Sequence, residues 1–208
     1  MARRGDDARR LTAPGEDAGA DFVREVMRAD PGRLAVLATV RDLGLADGWV
    51  AAGFVRAAVW DALHGFEAST PVEDIDVIYF DPHRATPAAD RAAEAALARA
   101  MPDRPWSVRN QARMHARNGD RPYRSSADAM MHWLETPTAV GVALAGDGSI
   151  EVLAPFGLGD LLGMVIRPTP HARSSRMAAF RQRLEAKPWL KQWPRSRLAG
   201  VSCCELAS

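Results

Sequence analysis

Two aspartates separated by one residue, Asp74 and Asp76, are the side chains best placed for chemistry in this chain of 208 residues. They belong to the apolar stretch Val72–Phe80, which is predicted to be a strand. Successive side chains of a strand alternate between its faces, so the two carboxylates share one face while Ile75 and Val77 share the other. Neighbouring carboxylates raise the cost of ionising both. The pair therefore indicates a divalent-metal site of the kind that supports phosphoryl transfer.

A metal pair acting on a phosphate needs a further carboxylate from a separate strand. Glu151 fits this role, because Ile150 and Val152 leave it alone on the opposite face of its strand. Asp147 lies in a hairpin turn, where Asp is ordinary turn chemistry, and it is discounted. Mg²⁺, or Mn²⁺ in its place, is the expected cofactor, because hard cations prefer oxygen ligands.

Gly53 ends a short apolar run and precedes a predicted helix. Backbone amides at a helix N-terminus bind phosphate, and a glycine there lets a triphosphate approach closely. Arg56, in the first turn of that helix, adds a charge-assisted contact. Each of these features is common alone, but a glycine, a helix, an Asp-x-Asp strand and a distant Glu-bearing strand together are much more specific.

Apolar periodicity and turn residues indicate the elements that hold these side chains. Helices are predicted over residues 21–28, 31–43, 55–64, 86–100, 112–116, 125–131, 159–163 and 174–187, and strands over residues 48–53, 71–80, 106–109, 139–144, 149–153 and 164–167. This order predicts an α/β (α+β) fold in which helices pack against a mixed β-sheet, not a doubly wound parallel one. We expect one domain over residues 20–198, a disordered tail over residues 1–19 and a C-terminal tail over residues 199–208.

Charge is unevenly distributed although the net charge is only +1. Residues 161–200 contain nine Arg or Lys and one acidic residue, Glu185, so the rest of the chain is acidic. This arrangement suits an anionic ligand approaching a metal site, and it equally suits a solvated basic helix. In the last predicted helix, Arg176, Arg183 and Lys187 follow one edge and would overhang the site.

Several classes of protein are disfavoured by the composition. No stretch reaches the roughly 20 apolar residues that span a bilayer, and the N-terminus lacks the pattern of a signal peptide. We therefore expect a cytoplasmic protein with no membrane partner. Cys203 and Cys204 are adjacent, which predicts no disulfide framework. The five histidines lack metal-ligand spacing, which argues against zinc.

The pattern from Gly53 to Asp76, with Glu151, resembles the nucleotidyltransferase superfamily that includes the palm of DNA polymerase β. The chain is more closely similar to a family of uncharacterised bacterial nucleotidyltransferases over about residues 20–198. The matching stretches are Gly53–Arg56, Val59–His64, Glu73–Val77, Asn110–His115, Tyr123, Asp128–Met130, Trp133, Glu135–Thr136, Thr138–Val142 and Ile150–Val152. Phe54 stands where the superfamily has a small residue, so its ring is expected to border the triphosphate or to turn into the core.

The resemblance implies a polymerase β-like palm and a metal-dependent transfer of a nucleoside monophosphate from a nucleoside triphosphate. Asp74, Asp76 and Glu151 would be the catalytic metal ligands, and Gly53, Phe54 and Arg56 would border the nucleotide. Arg113, His115 and Arg176 are candidate substrate-binding residues. The acceptor is left open among small molecules, proteins and RNA, with no stable nucleic-acid partner expected. The alternatives are a non-catalytic nucleotide-binding or regulatory module on the same fold, and a partner-binding protein supported only by the basic C-terminal segment.

Overall fold

The structure is a computed structural model that describes residues 14–201. Residues 1–13 of the predicted N-terminal tail and residues 202–208 of the predicted C-terminal tail lie outside this range. No helix within the described range is long and apolar enough to cross a bilayer.

Helices and strands alternate along most of the described chain. In order, they are α1 (Pro14–Arg28), α2 (Pro31–Asp42), β1 (Trp49–Ala51), α3 (Gly53–His64), β2 (Ile75–Tyr79), α4 (Pro87–Ala100), β3 (Trp106–Asn110), α5 (Gln111–Asn118), α6 (Ser126–Met130), β4 (Gly141–Leu144), β5 (Ile150–Leu153), α7 (Gly159–Leu162), β6 (Val165–Ile166), α8 (Pro170–Ser175), α9 (Met177–Ala186), α10 (Trp189–Gln192) and β7 (Arg197–Leu198). Short 3₁₀ turns cover Pro82–Arg84 and Thr136–Thr138.

Five strands form one mixed sheet in the order β3-β2-β1-β4-β5. Strands β2 and β3 are parallel, and the other neighbouring pairs are antiparallel. The mixed sheet with packed helices confirms the predicted fold class. A second, two-stranded sheet joins β6 to β7, the latter a strand that the sequence pattern did not indicate.

The two faces of the large sheet differ in character. One face carries Val50, Val77 and Val142, which belong to the main apolar core together with buried residues of the first four helices. Residues paired across strands share a face, and the pairing of Asp76 with Ala51 and with Ser107 puts the aspartate on the opposite face. That opposite face has only a small apolar cluster, so it has room for a site.

Two helices differ from the sequence expectation. α1 begins at Pro14, seven residues before the predicted start, and a proline is well suited to a first helical turn. The predicted basic helix over residues 174–187 is divided into α8 and α9 at Arg176, whose φ of −135° and ψ of 29° are not helical. α8 begins early because the Thr169 hydroxyl accepts a hydrogen bond from the Ala172 N–H at 3.0 Å and caps the helix.

Ala52 joins β1 to α3 with a φ of 56° and a ψ of −121°, a conformation that favours glycine. Relief of such strain is worth about 1 to 3 kcal/mol, and glycine loses about 0.5 to 1 kcal/mol in chain entropy. We expect Ala52→Gly to raise the free energy of unfolding by about 1 kcal/mol in urea denaturation. Ala51→Gly, in a buried strand position without a positive φ, is the matched control and should lower it. Equal decreases in the free energy of unfolding of both variants would contradict backbone strain at Ala52.

Candidate active site

The acidic end of β2 forms the centre of the candidate site. Asp76 lies within the strand and is half-buried, whereas Asp74 immediately precedes the strand and is exposed. Burial, and then the charge of Asp74, raise the pKa of Asp76 to about 6. A half-buried carboxylate with a second carboxylate nearby is unfavourable without a cation, and oxygen donors of this kind fit Mg²⁺ or Mn²⁺.

The raised pKa of Asp76 predicts a pH-dependent effect on stability. A carboxyl with a raised folded-state pKa destabilises the fold above that pKa and has no effect below its unfolded value. Without divalent metal, Asp76→Asn should therefore raise the free energy of unfolding by about 2 to 3 kcal/mol at pH 8 and leave it unchanged at pH 3.5. Urea denaturation with a chelator measures this difference, and an equal effect at both pH values would contradict it.

A cavity of about 190 Å³ lies between the acidic end of β2 and the C-terminal helices; we call it the first cavity. Gly53 at the start of α3 lines it together with Asp74 and Asp76. The helix has no side-chain N-cap, so the amides of its first turn are not satisfied by a capping side chain. A Cβ built on Gly53 would come within 4 Å of only one group in the described structure, the guanidinium of Arg56 at 3.9 Å. The helix N-terminus is therefore open to an anion.

Arg56 borders the first cavity inside a cage of three tryptophans. Its guanidinium carbon lies 4.6 Å from the ring centre of Trp189, 5.5 Å from that of Trp60 and 5.6 Å from that of Trp193. Burial lowers the pKa of Arg56 to about 10, which leaves it charged at neutral pH. Cation–π contacts of this kind fix the position of a guanidinium while it keeps its charge. The cage thus holds a buried cation beside the N-terminus of α3.

Two further cations reach the first cavity from the C-terminal part of the chain. Arg183 on α9 contacts the buried carboxylate of Glu135 at 2.6 Å, and Lys187 contacts the exposed carboxylate of Glu73 at 2.5 Å. Glu135 also accepts a hydrogen bond from the Thr138 hydroxyl at 2.9 Å. Glu135 was not among the predicted site residues, although it lies in a stretch that matched the family.

A second cavity, of about 250 Å³, lies on the other side of Asp76 and Arg183, which line both cavities. Arg109 and Arg176 also line this second cavity, as does His132. The predicted residue Arg176 therefore lies on the same cavity as Asp76. The arrangement places Asp76 between two spaces that each contain arginine side chains.

Phe54, one of the predicted nucleotide-binding residues, lies away from both cavities. Its ring is 8% exposed and belongs to the main core. It lines a different cavity, formed with Arg33 and Val36 of α2. Of the two expectations for this ring, the structure shows the turn into the core.

Glu151 is on the predicted face of the sheet but on a distant strand. Glu151 pairs with Ala143 on β4, two residues from Gly141. Gly141 pairs with Ala51 on β1, and Ala51 pairs with Asp76 on β2, so Glu151 and Asp76 share a face of the sheet. Three strand spacings between β2 and β5 amount to about 14 Å, so the structure does not bring Glu151 together with the aspartate pair. Glu151 is exposed and lines neither cavity.

Arg113 and His115 on α5 also lie outside the residues that line the two cavities. Arg113 forms an ion pair with the buried Asp90, with 2.8 Å between its Nε and the carboxylate. Asp90 also accepts hydrogen bonds from the Tyr79 hydroxyl at 2.9 Å and the Asn110 N–H at 3.0 Å. The ring of His115 packs edge-on against Tyr123. These contacts give Arg113 a role in joining α5 to α4 and the sheet.

Asp61 and His64 on α3 hold the surrounding chain in place. Asp61 is 3% exposed and accepts hydrogen bonds from the N–H and hydroxyl of Thr70, both at 2.7 Å, and from the Trp193 indole at 2.8 Å. The Arg195 N–H donates to His64 at 3.2 Å. Both side chains therefore secure the C-terminal segment that closes the arginine cage.

Comparisons with known families and with solved structures both relate this chain to nucleotidyltransferases. A protein-family model described as "Nucleotidyltransferase" matches residues 38–198. A solved structure titled as revealing a CCA-adding enzyme head domain is 36% identical with a TM-score of 0.77, and the match covers 86% of this chain and 95% of that one. No curated protein matches the chain.

Larger enzymes share the fold at lower identity. The Thermotoga maritima CCA-adding enzyme complexed with tRNA is 16% identical with a TM-score of 0.55, over 90% of this chain and 43% of that one. A CCA-adding enzyme in complex with CTP is 15% identical with the same TM-score, over 90% of this chain and 44% of that one. The chain thus spans less than half the length of these enzymes.

Proposed function

The chain belongs to the nucleotidyltransferase family, and from this premise we propose that it transfers a nucleoside monophosphate from a nucleoside triphosphate to an acceptor hydroxyl, with the aid of a divalent metal. The observation that carries the proposal is the first cavity, where the open N-terminus of α3 and the Asp74–Asp76 pair line one space. Phosphoryl transfer depends mainly on positioning and charge neutralisation, and these groups supply both.

Asp74 and Asp76 would hold Mg²⁺ or Mn²⁺. Bound metal supplies positive charge that neutralises the triphosphate and the attacking oxygen. The residues fit this role, because partial burial and the nearby charge of Asp74 make ionised Asp76 unfavourable unless a cation is present. Glu151 is too distant across the sheet to complete the same site, whereas the buried acid Glu135 lines the second cavity together with Asp76.

The triphosphate would lie in the first cavity. The free amides of α3 would bind phosphate oxygens, and Gly53 leaves room for their approach. Arg56 would add charge-assisted contacts from a position that the three tryptophans already fix. Arg183 and Lys187 would exchange part of their contact with protein carboxylates for contact with phosphates.

The acceptor would occupy the second cavity, since Asp76 lines both spaces and stands between donor and acceptor. Arg109 and Arg176 favour an acceptor with negative charge near its hydroxyl, as at the 3′ end of an RNA. The similarity to a CCA-adding enzyme head domain supports this choice.

The test is a transfer assay with each α-labelled nucleoside triphosphate and Mg²⁺. The acceptors are tRNA lacking its 3′-terminal CCA, tRNA with CCA, a short unstructured RNA and a small-metabolite pool. We expect label in an acceptor and an equal release of pyrophosphate, both abolished by a chelator and by Asp74→Ala/Asp76→Ala. If wild-type protein releases no more pyrophosphate than that variant with every acceptor, the proposed transfer is refuted.

The second candidate is a non-catalytic nucleotide-binding module, favoured by one specific observation. The residues paired with Asp76 on its neighbouring strands are Ala51 and Ser107, so within the described residues neither register partner is a third carboxylate. A module of this kind would bind a triphosphate with Mg²⁺ in calorimetry but release no pyrophosphate. Binding together with turnover would exclude it.

A further inference from the structure

A cluster of two histidines and one aspartate, distinct from the Asp74–Asp76 pair, adjoins the second cavity, which His132 lines. Asp120 follows α5, His132 follows α6 and His171 lies in α8, and one donor atom of each is within 4.8 Å of the others. The Nε2 atom of His171 is 3.1 Å from the carboxylate of Asp120. The rings of His132 and His171 are 4.7 Å apart between centres. We propose that these three side chains form a binding site for a divalent transition metal, with Zn²⁺ as the expected ion.

The donor set points to this class of metal. Imidazole nitrogens favour zinc and its neighbours over Mg²⁺, which takes oxygen ligands. Two histidines and one carboxylate are a known zinc donor set that leaves a fourth position for water or a substrate. Donor atoms around a tetrahedral zinc are roughly 3.3 Å apart, so donor atoms that lie within 4.8 Å of one another would approach by up to about 1.5 Å when the ion binds. Histidine spacing in the sequence argued against zinc, but the fold brings two distant histidines together.

The hydrogen bonds around the cluster orient it for a metal. Nδ1 of His132 lies 2.8 Å from the carbonyl of Asp128, which makes Nδ1 the donor and leaves Nε2 as the nitrogen that would bind a metal. The Tyr123 hydroxyl donates to the second oxygen of Asp120 and leaves the first oxygen facing His171. Outer contacts of this type fix the tautomer and direction of metal ligands.

The free nitrogen of His171 is a second, independent sign of a missing partner. Its Nε2 is buried and makes no hydrogen bond of acceptable geometry, although the Asp120 carboxylate is close. A buried polar atom without a partner is costly, and a metal bound between these groups would satisfy it.

The backbone already holds the three ligands near one another. The Thr169 hydroxyl donates to the Trp133 carbonyl at 2.5 Å, and the Thr169 N–H donates to the Leu134 carbonyl at 3.0 Å. These bonds place the start of α8 beside the chain that follows His132. Metal bound here would tie α8 to the end of α6, and so would fix Arg176, which follows α8 and lines the second cavity.

The test uses Co²⁺ as a spectroscopic substitute for zinc in full-length protein without a histidine tag. All proteins carry Cys203→Ser and Cys204→Ser, so that thiolates do not bind the ion, and Asp76→Asn, so that the aspartate pair is weakened. We expect one equivalent of Co²⁺ to give the intense visible absorption of a tetrahedral site, and Zn²⁺ but not excess Mg²⁺ to abolish it. One equivalent of Zn²⁺ should raise the melting temperature by several degrees.

The variants decide whether these three side chains are the ligands. His132→Ala and His171→Ala should weaken Co²⁺ binding at least 100-fold with unchanged circular dichroism, whereas His115→Ala, which removes a nearby ring outside the cluster, should leave it unchanged. If His171→Ala folds poorly, Asp120→Asn preserves the shape and should show the same loss. No tetrahedral absorption in the parent protein, or equal absorption in His132→Ala and His115→Ala, would overturn the proposal.

Discussion

Asp76→Asn is expected to lower the rate of nucleotidyl transfer at least about 1,000-fold, the equivalent of roughly 4 kcal/mol in the activation free energy. Asp76 is the carboxylate that lines both cavities, so its loss removes metal binding at the point between donor and acceptor. The asparagine side chain keeps the size of the aspartate but not its charge. Single-turnover rates at saturating triphosphate and Mg²⁺ measure the effect separately from triphosphate affinity.

Glu151→Gln is the matched control for this experiment. It removes a carboxylate from the same face of the same sheet, but from an exposed position on β5 about three strand spacings, or roughly 14 Å, from β2. We expect a change in rate of less than threefold. Losses of similar size in Asp76→Asn and Glu151→Gln would show that Glu151 reaches the metals and that the site differs from the one described.

The same substitution should have opposite effects on stability and activity. In metal-free protein at pH 8, Asp76→Asn removes an ionised carboxylate whose pKa burial has raised to about 6, and so stabilises the fold. Ionised Asp76 therefore lowers the stability of the metal-free fold, and a role of its charge in metal binding would account for that loss. A carboxylate that destabilises the fold but is required for turnover is typical of a functional site.

The sequence predicted the part of the site that is local along the chain. β1, α3 and β2 follow one another, and the glycine and the aspartate pair come at the ends of their apolar runs. Because the strand period is two, the face of Asp76 could be read from its neighbours alone. Periodicity also placed Glu151 on the correct face, since Ile150 is buried in the core.

The distance between Glu151 and Asp76 could not be read in the same way. It depends on the order of the strands, and β4 rather than β5 pairs with β1. Strand order results from pairing between residues far apart in sequence, for which a single sequence carries little information. The arginine cage could not be predicted from the sequence for the same reason, because Arg56 and Trp189 are 133 positions apart and come into contact only in the fold.

Trp193→Ala is expected to lower the free energy of unfolding by about 4 kcal/mol, the usual range for removal of a large buried ring. Trp193 is 1% exposed and packs edge-on against Trp60, with 5.2 Å between ring centres. Its indole N–H donates to the buried carboxylate of Asp61, which ties α3 to the segment after α10. Urea denaturation followed by circular dichroism measures the loss.

Trp193→Phe separates the two roles of this side chain. It keeps an aromatic ring beside Arg56 but removes the donor to Asp61, which still has both hydrogen bonds from Thr70. We expect a smaller loss of about 1 to 2 kcal/mol, the cost of one missing partner at a buried acceptor. Triphosphate affinity, measured where each variant is fully folded, should fall in Trp193→Ala because a wall of the cage is lost, and should stay within about twofold in Trp193→Phe. If the free energy of unfolding of Trp193→Ala is within 1 kcal/mol of the wild-type value and the variant binds the triphosphate equally well, the cage does not fix Arg56. Electrostatic attraction to acidic side chains, chiefly Glu135, would then position this cation instead.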